Sequence, residues 1–267
     1  MDPAYFDLSF PLEELEYFLL ILTRVSMFIF AAPFFGRAEV PQRLKACFAL
    51  VMSFLLYESI TPHMYVQYNT VIDYTTIILK EAVTGLLIGL SANWVMQIAG
   101  FAGQIVDTNI GFSMASQIDP TTQMNVTVTG QYYQYAFMLI FMVSGMHRWL
   151  IKALAESFTL IGIGRSVFDM EAMYTTLVGF MAEYVSLGFR IGLPLFCVTL
   201  LTNGLLGIMA KVSPQMNMFA VGMQVKALIG LAIMVVTVRM LPDAADLLFV
   251  QMKTLMVSFI EAMGGTA

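Results

Sequence analysis

The sequence predicts an all-α fold of membrane-associated helical hairpins rather than a clean multi-pass bundle. Three observations predict it. Hydrophobic residues make up 59% of the chain and charged residues only 12%, and no stretch alternates with the period of a strand. The apolar residues gather into runs at about 15–35, 41–60, 77–106, 131–161, 172–212, 225–241 and 243–263, lengths that suit helices. These runs are interrupted by charge: Arg24, Lys80, Glu81, Glu183 and Arg190 all lie inside apolar stretches. A charge in lipid is costly unless it is paired or faces protein or water. Such a chain is expected to neutralise its charges at contacts with other subunits, which points to a component of an assembly with a conduit.

The runs are short for their task. Between Lys45 and Glu58 the uncharged helix covers only about 18 Å, against a hydrocarbon core of about 30 Å; Arg24–Arg37 and Lys226–Arg239 are equally short. Ala82–Val106 is longer, but Gly85, Gly89, Gly100, Gly103 and several polar residues interrupt it. Orientation conflicts as well. The positive-inside rule places the Arg37, Arg43 and Lys45 connection inside if the acidic start is outside. The baseless 107–130 connection then also falls inside, and Arg148, Lys152 and Arg165 fall outside.

Punctuation marks the helix ends. Pro41, Pro214 and Pro242 are placed to open helices. Gly36, Gly162 and Gly164 read as stops. Pro33 and Pro194 should kink or break the helices they fall in. Gly85-xxx-Gly89 and Gly188-xxx-Gly192 permit close approach of another helix. Met138, Met142 and Met146 fall on one stripe, which together with the Met216, Met218 and Met223 group suggests adaptable packing. Lys80 and Glu81 are adjacent and should find different partners.

Several classes are excluded. No linker composition divides the chain, so residues 1–267 read as one unit. Cys47 and Cys197 lack metal or redox spacing and read as buried, inert thiols; His63 and His147 read as loop or helix-end residues. Asp2, Asp7, Glu13, Glu14 and Glu16 precede any base, the opposite of a signal peptide's basic start. There is no nucleophile elbow, P-loop or metal motif, so no enzyme and no cofactor is expected. A net charge of −5 without a basic patch argues against nucleic acid.

The segment Gly100–Gly130 is the strongest functional candidate. It is poor in charge, rich in Gly, Ser, Thr, Gln and Asn, and studded with Ile105, Ile110, Phe112, Met114, Ile118 and Met124. A connection this long without regular structure is usually functional or disordered, and a disordered one would be charged and poor in large apolar residues. It reads as a re-entrant plug whose apolar side chains keep water from a constriction, or as a loop packed on a neighbouring helix.

An ordered set of motifs runs through nearly the whole chain: Arg24 with Ala32–Gly36; Pro41–Lys45; Glu81-xxx-Gly85-xxx-Gly89; Ala102–Asp107 through Gly111–Ala115 to Asp119-Pro120; Arg190-xxx-Pro194; and Asn203–Gly207 leading to Ser213–Phe219. Together they resemble the flagellar and type III secretion export-gate family. Gln104 departs from a carboxylate expected there, so no charge-based role carries over at that position. The resemblance implies a subunit of a helical hetero-oligomer in the bacterial inner membrane at the flagellar basal body. Its neighbours would be the flagellar P and Q export-gate proteins and the flagellar B switch protein. Unfolded export substrates would pass through the assembly. It also implies a pore plug that includes Ile110, Gly111, Phe112, Met114, Ile118, Asp119 and Pro120, with Gly103 and Gly111 letting the loop turn. Gly85, Gly89, Arg190, Pro214, Gln215 and Asn217 are the expected subunit contacts. The alternative, a secondary transporter or small-solute channel, would need substrate sites at broken helices and two related halves; no repeat is visible.

Overall fold

The protein, described here by a computed structural model, is all-α among the described residues apart from one two-residue antiparallel pairing. The structure describes residues 12–60, 68, 70–111, 117–118, 125–126, 128–213 and 218–264. The helices are α1 (Leu12–Ala31), α2 (Gln42–Ser59), α3 (Val71–Ile110), α4 (Val128–Val143), α5 (Met146–Leu160), α6 (Met170–Val212), α7 (Met218–Thr237) and α8 (Leu241–Gly264). The strands are β1 (Gln117–Ile118) and β2 (Asn125–Val126), with Gln117 opposite Val126.

Helix ends follow local chemistry. Pro41 precedes α2 as the sequence suggested. The Thr70 N–H donates to Asp73 at 3.1 Å, half of a capping box at the start of α3. Asp169 caps α6 by accepting from the N–H groups of Glu171 and Ala172. Gly162 and Gly164, with φ of 67° and 75°, carry the chain out of α5. Gly36 has a different role from the one expected. The turn after α1 is made by Phe34 with φ 72°, while a Cβ at Gly36 would run into the carbonyl oxygens of Phe30 and Ala32.

Among the described residues, three stretches are long and apolar enough to cross a membrane: Val71–Ile110, Met170–Val212 and Val221–Gly264. This corrects the reading of short, interrupted runs for Ala82–Val106 and Lys226–Arg239, whereas α1 and α2, which hold the Arg24–Arg37 and Lys45–Glu58 runs, are not among these stretches. Glycine costs a helix only about 1 kcal/mol relative to alanine, so α3 passes through all of its glycines. Pro194 leaves α6 unbroken. A single 3-10 turn, Val238–Met240, joins the two C-terminal runs. The apolar run at 131–161 divides instead at Gly145, φ 76°, so Met146 belongs to α5 and not to a stripe on α4. The buried face of α4 is Tyr133, Phe137 and Phe141. The broken pair α4–α5 is a fourth candidate span.

The chain packs as two compact units. One falls within Met1–Leu90, Leu150–Met173 and Val257–Ala267; the other comprises Ser91–Trp149 and Tyr174–Met256. In the first, α1 and α2 form a hairpin, with Phe35 stacked on Phe48 and Lys45 Nζ donating to the Gly36 carbonyl at 2.9 Å. Its core holds Leu20, Ile21, Val25, Phe28 and Ile29. In the second, Val106, Ile110, Leu195 and Met234 form a buried cluster, and Phe141 meets Phe249 edge to face.

Outward faces are strongly apolar. Only 28% of an 18-residue apolar stretch of α6 is buried within the chain, and only 17% of one in Val221–Gly264. Cys47 and Cys197 are exposed, contrary to expectation. Apolar neighbours signal burial in a soluble fold, but here they also line faces that lipid or other subunits would cover.

Candidate functional site

Two polar sites lie among these apolar helices. In the first unit, Glu81, Gly85 and Gly89 recur every four residues and so share one face of α3. A Cβ at Gly85 would collide with the Arg24 carbonyl, and one at Gly89 would lie 2.7 Å from the Phe28 carbonyl oxygen. The glycines expected at a subunit contact therefore serve a close crossing of α1 and α3 within the chain. Close approach brings Arg24 onto Glu81: Nε to Oε2 is 2.5 Å and Nη2 to Oε1 is 3.0 Å, with both side chains fully buried.

The other guanidinium protons are also used. Nη1 donates to the Ser157 carbonyl at 3.1 Å and to Ser157 Oγ at 3.4 Å, and Nη2 donates to the Gly162 carbonyl at 3.0 Å. All five N–H groups thus have acceptors. Glu81 Oε1 also accepts from the Gly164 N–H at 2.8 Å. The guanidinium lies over the Phe158 ring, 4.3 Å from its centroid. The pair ties α1 and α3 to the end of α5, where the helix dipole favours a cation. The counter-charge of Arg24 is therefore internal, not supplied by a neighbouring subunit.

The second site is the base of the connection between α3 and α4. The structure shortens the candidate loop: Gly100–Ile110 is helical, and α4 begins at Val128, leaving 111–127 as the connection. Gly103 is a packing glycine rather than a turn residue, because a Cβ there would strike the backbone of Thr129 and Gly130. Gly111 does turn the chain, with φ 94°, and its N–H donates to the Asp107 carbonyl at 3.0 Å. Asp107 is fully buried. Its Oδ2 accepts from the Thr129 N–H at 2.8 Å and its Oδ1 from the Thr129 hydroxyl. A carboxylate from one helix thus caps the next. Asp107 falls in the Ala102–Asp107 motif, but its pairing with Thr129 has no signal in the sequence, because a cap arriving from another helix leaves no local pattern.

Ile110 is buried at 1% exposure, and its Cδ1 would lie 2.5 Å from a Cβ at Gly230. In this chain it is part of the core at the foot of the connection. The backbone of Ile118 pairs with Asn125. Phe112, Met114, Asp119, Pro120, Pro214, Gln215 and Asn217 lie outside the described residues. Glu183 and Arg190 are exposed on α6 beside Val185, Phe189 and Leu193. Arg190 has no ion-pair partner among the described residues.

Long apolar helices that bury an internal ion pair and leave wide apolar faces uncovered define a membrane-embedded helical protein. Residues 15–252 match the family described as bacterial export proteins, family 1, and the chain belongs to that family. It is similar to flagellar biosynthetic protein FliR of Aquifex aeolicus, 30% identical over 84% of this chain and 85% of that one. The FliR of Bacillus subtilis is 29% identical over 82% of this chain and 85% of its own length; that of Escherichia coli is 26% identical over 91% and 92%. The chain is a membrane component of a flagellar export apparatus.

Proposed function

We propose that the chain is a non-enzymatic export-gate subunit that helps to form and close a protein-conducting channel for unfolded flagellar subunits. It acts in the inner membrane at the flagellar basal body. The reading rests on one observation: the connection 111–127, rich in small and apolar residues, is held at both ends by buried contacts. Firm stems allow such a segment to be presented reproducibly, and spaced apolar side chains suit it to exclude water from a constriction. The uncovered faces of α6 and of Val221–Gly264 offer surface for the flagellar P and Q export-gate proteins and the flagellar B switch protein. Arg190 and Glu183 on α6 suit such a contact, because a charge on an apolar face needs a partner.

Deleting Gly111–Ile118 tests the reading. An export gate lacking this segment assembles but leaks ions; a purely structural scaffold assembles and stays tight. A secondary transporter, the competing class, loses uptake of a particular solute. An assembled complex with unchanged ion conductance overturns the closing role.

A further inference from the structure

We propose that Asp107 is the positioning residue of the α3–α4 connection, acting as a clasp that holds the end of α3 against the start of α4. Three features support it. Asp107 is fully buried, yet no Lys, Arg or His pairs with it among the described residues. Its compensation is the start of α4, through the N–H and hydroxyl of Thr129. It also sits in the last turn of α3, where a helix dipole repels negative charge, while the first turn of α4 attracts it. The carboxylate is therefore unfavourable to its own helix end and favourable to the next.

Disagreement between a local preference and the fold marks positions kept for something other than stability. The arrangement couples the two stems. Losing the Asp107–Thr129 contact leaves a buried carboxylate facing the end of α3, and the α4 donors lose their acceptor. Both stems then loosen together. Gly103 and Gly130 reinforce the clasp by letting the backbones meet, and Gly230 leaves room for Ile110 beside it.

The clasp itself stands on the contacts above; its effect on channel tightness rests on the closing role proposed for the connection. The test uses the full chain in the assembled, purified export complex. Asp107→Ala removes the acceptor, whereas Asp107→Asn keeps a carbonyl oxygen for the Thr129 N–H. Proteinase K cleavage within 111–127 reports how often the stems open. Asp107→Ala is expected to raise cleavage about tenfold, the scale of a lost charge-assisted hydrogen bond. Asp107→Asn should raise cleavage less than Asp107→Ala does, about fivefold, because one of the two acceptors remains, and ion leak should follow the same order at unchanged complex yield.

Should Asp107→Ala prevent assembly, Thr129→Val removes only the hydroxyl and should raise cleavage about threefold. Unchanged cleavage in either assembled variant overturns the clasp. Faster cleavage without any leak upholds the clasp and overturns the closing role.

Discussion

Glu81 and Asp107 are carboxylates on one helix, both removed from solvent, and they are neutralised by different means. Glu81 meets a formal cation whose every N–H is satisfied. Asp107 meets the N-terminal end of a helix and a hydroxyl. An ion pair in a dry interior locks both partners, because either one alone is a buried unpaired charge. A dipole carries roughly half a charge and acts only over its first turn. The first arrangement suits a permanent joint between α1, α3 and the end of α5. The second suits a joint that has to be positioned, and it lies at the foot of the connection on which the proposed function depends.

The largest expected effect comes from breaking the ion pair. Glu81→Ala or Arg24→Ala should destabilise the protein by about 3–5 kcal/mol, read as a fall in the unfolding midpoint of the detergent-solubilised protein. Replacing both, as Arg24→Met with Glu81→Leu, removes the orphaned charge and should cost less than either single change. It should not restore wild-type stability, because the Gly162 carbonyl and the Gly164 N–H lose these partners as well, and the Ser157 carbonyl keeps only the Ile161 N–H. A single variant losing under about 1 kcal/mol would show that water reaches the pair, and the contrast with Asp107 would disappear.

Next come the glycines that bring the helices together at each site. Gly85→Ala places a methyl group against the Arg24 carbonyl, and Gly103→Ala places one against the Gly130 backbone. Backbone cannot swing aside as a side chain does, so each should cost about 1–3 kcal/mol. Gly179→Ala is the control. Nothing lies within 4 Å of its Cβ position, and the change should stabilise α6 by up to about 1 kcal/mol through helix propensity. Parallel unfolding curves of the three variants decide whether close approach, rather than glycine content, is what matters.

These positions also show how far the sequence could be read. The spacing of Glu81, Gly85 and Gly89 marks a tight helix face because the period of a helix is local. The partner of that face is not local: Arg24 lies 57 residues away, and an embedded arginine could equally have met a neighbouring subunit. Helix ends at Pro41 and Gly162 were legible for the same local reason. The continuity of α3 was not, since glycine interrupts a hydropathy pattern without interrupting hydrogen bonding. Asp107 stands in the Ala102–Asp107 motif, but its role as a cap was not legible, because its partner begins the next helix.

Asp107→Asn should cost about 1 kcal/mol, since the amide still accepts one of the two hydrogen bonds. In the same measurement Glu81→Gln should cost more, because Arg24 keeps its charge and loses its counter-ion. Reversal of that order would mean that the clasp, not the ion pair, is the stronger joint.

The smallest effect belongs to a third carboxylate, which removes burial from the comparison. Glu16 accepts a hydrogen bond from the Tyr68 hydroxyl at 2.6 Å, on a tyrosine that is 37% exposed. That hydrogen bond, followed by partial desolvation and the charge of Glu16, holds Tyr68 protonated above its ordinary value of 10.0. The direction fixes the sign: the neutral phenol is favoured in the folded chain, so its contribution is complete below pH 10 and is lost as pH rises through the elevated folded value. A spectroscopic titration of wild type minus Tyr68→Phe should show this one tyrosine ionising late, while unfolding at neutral pH barely changes, as expected where water competes for the same bond. A loss at neutral pH as large as that of Asp107→Asn would show that burial is not what separates these carboxylates.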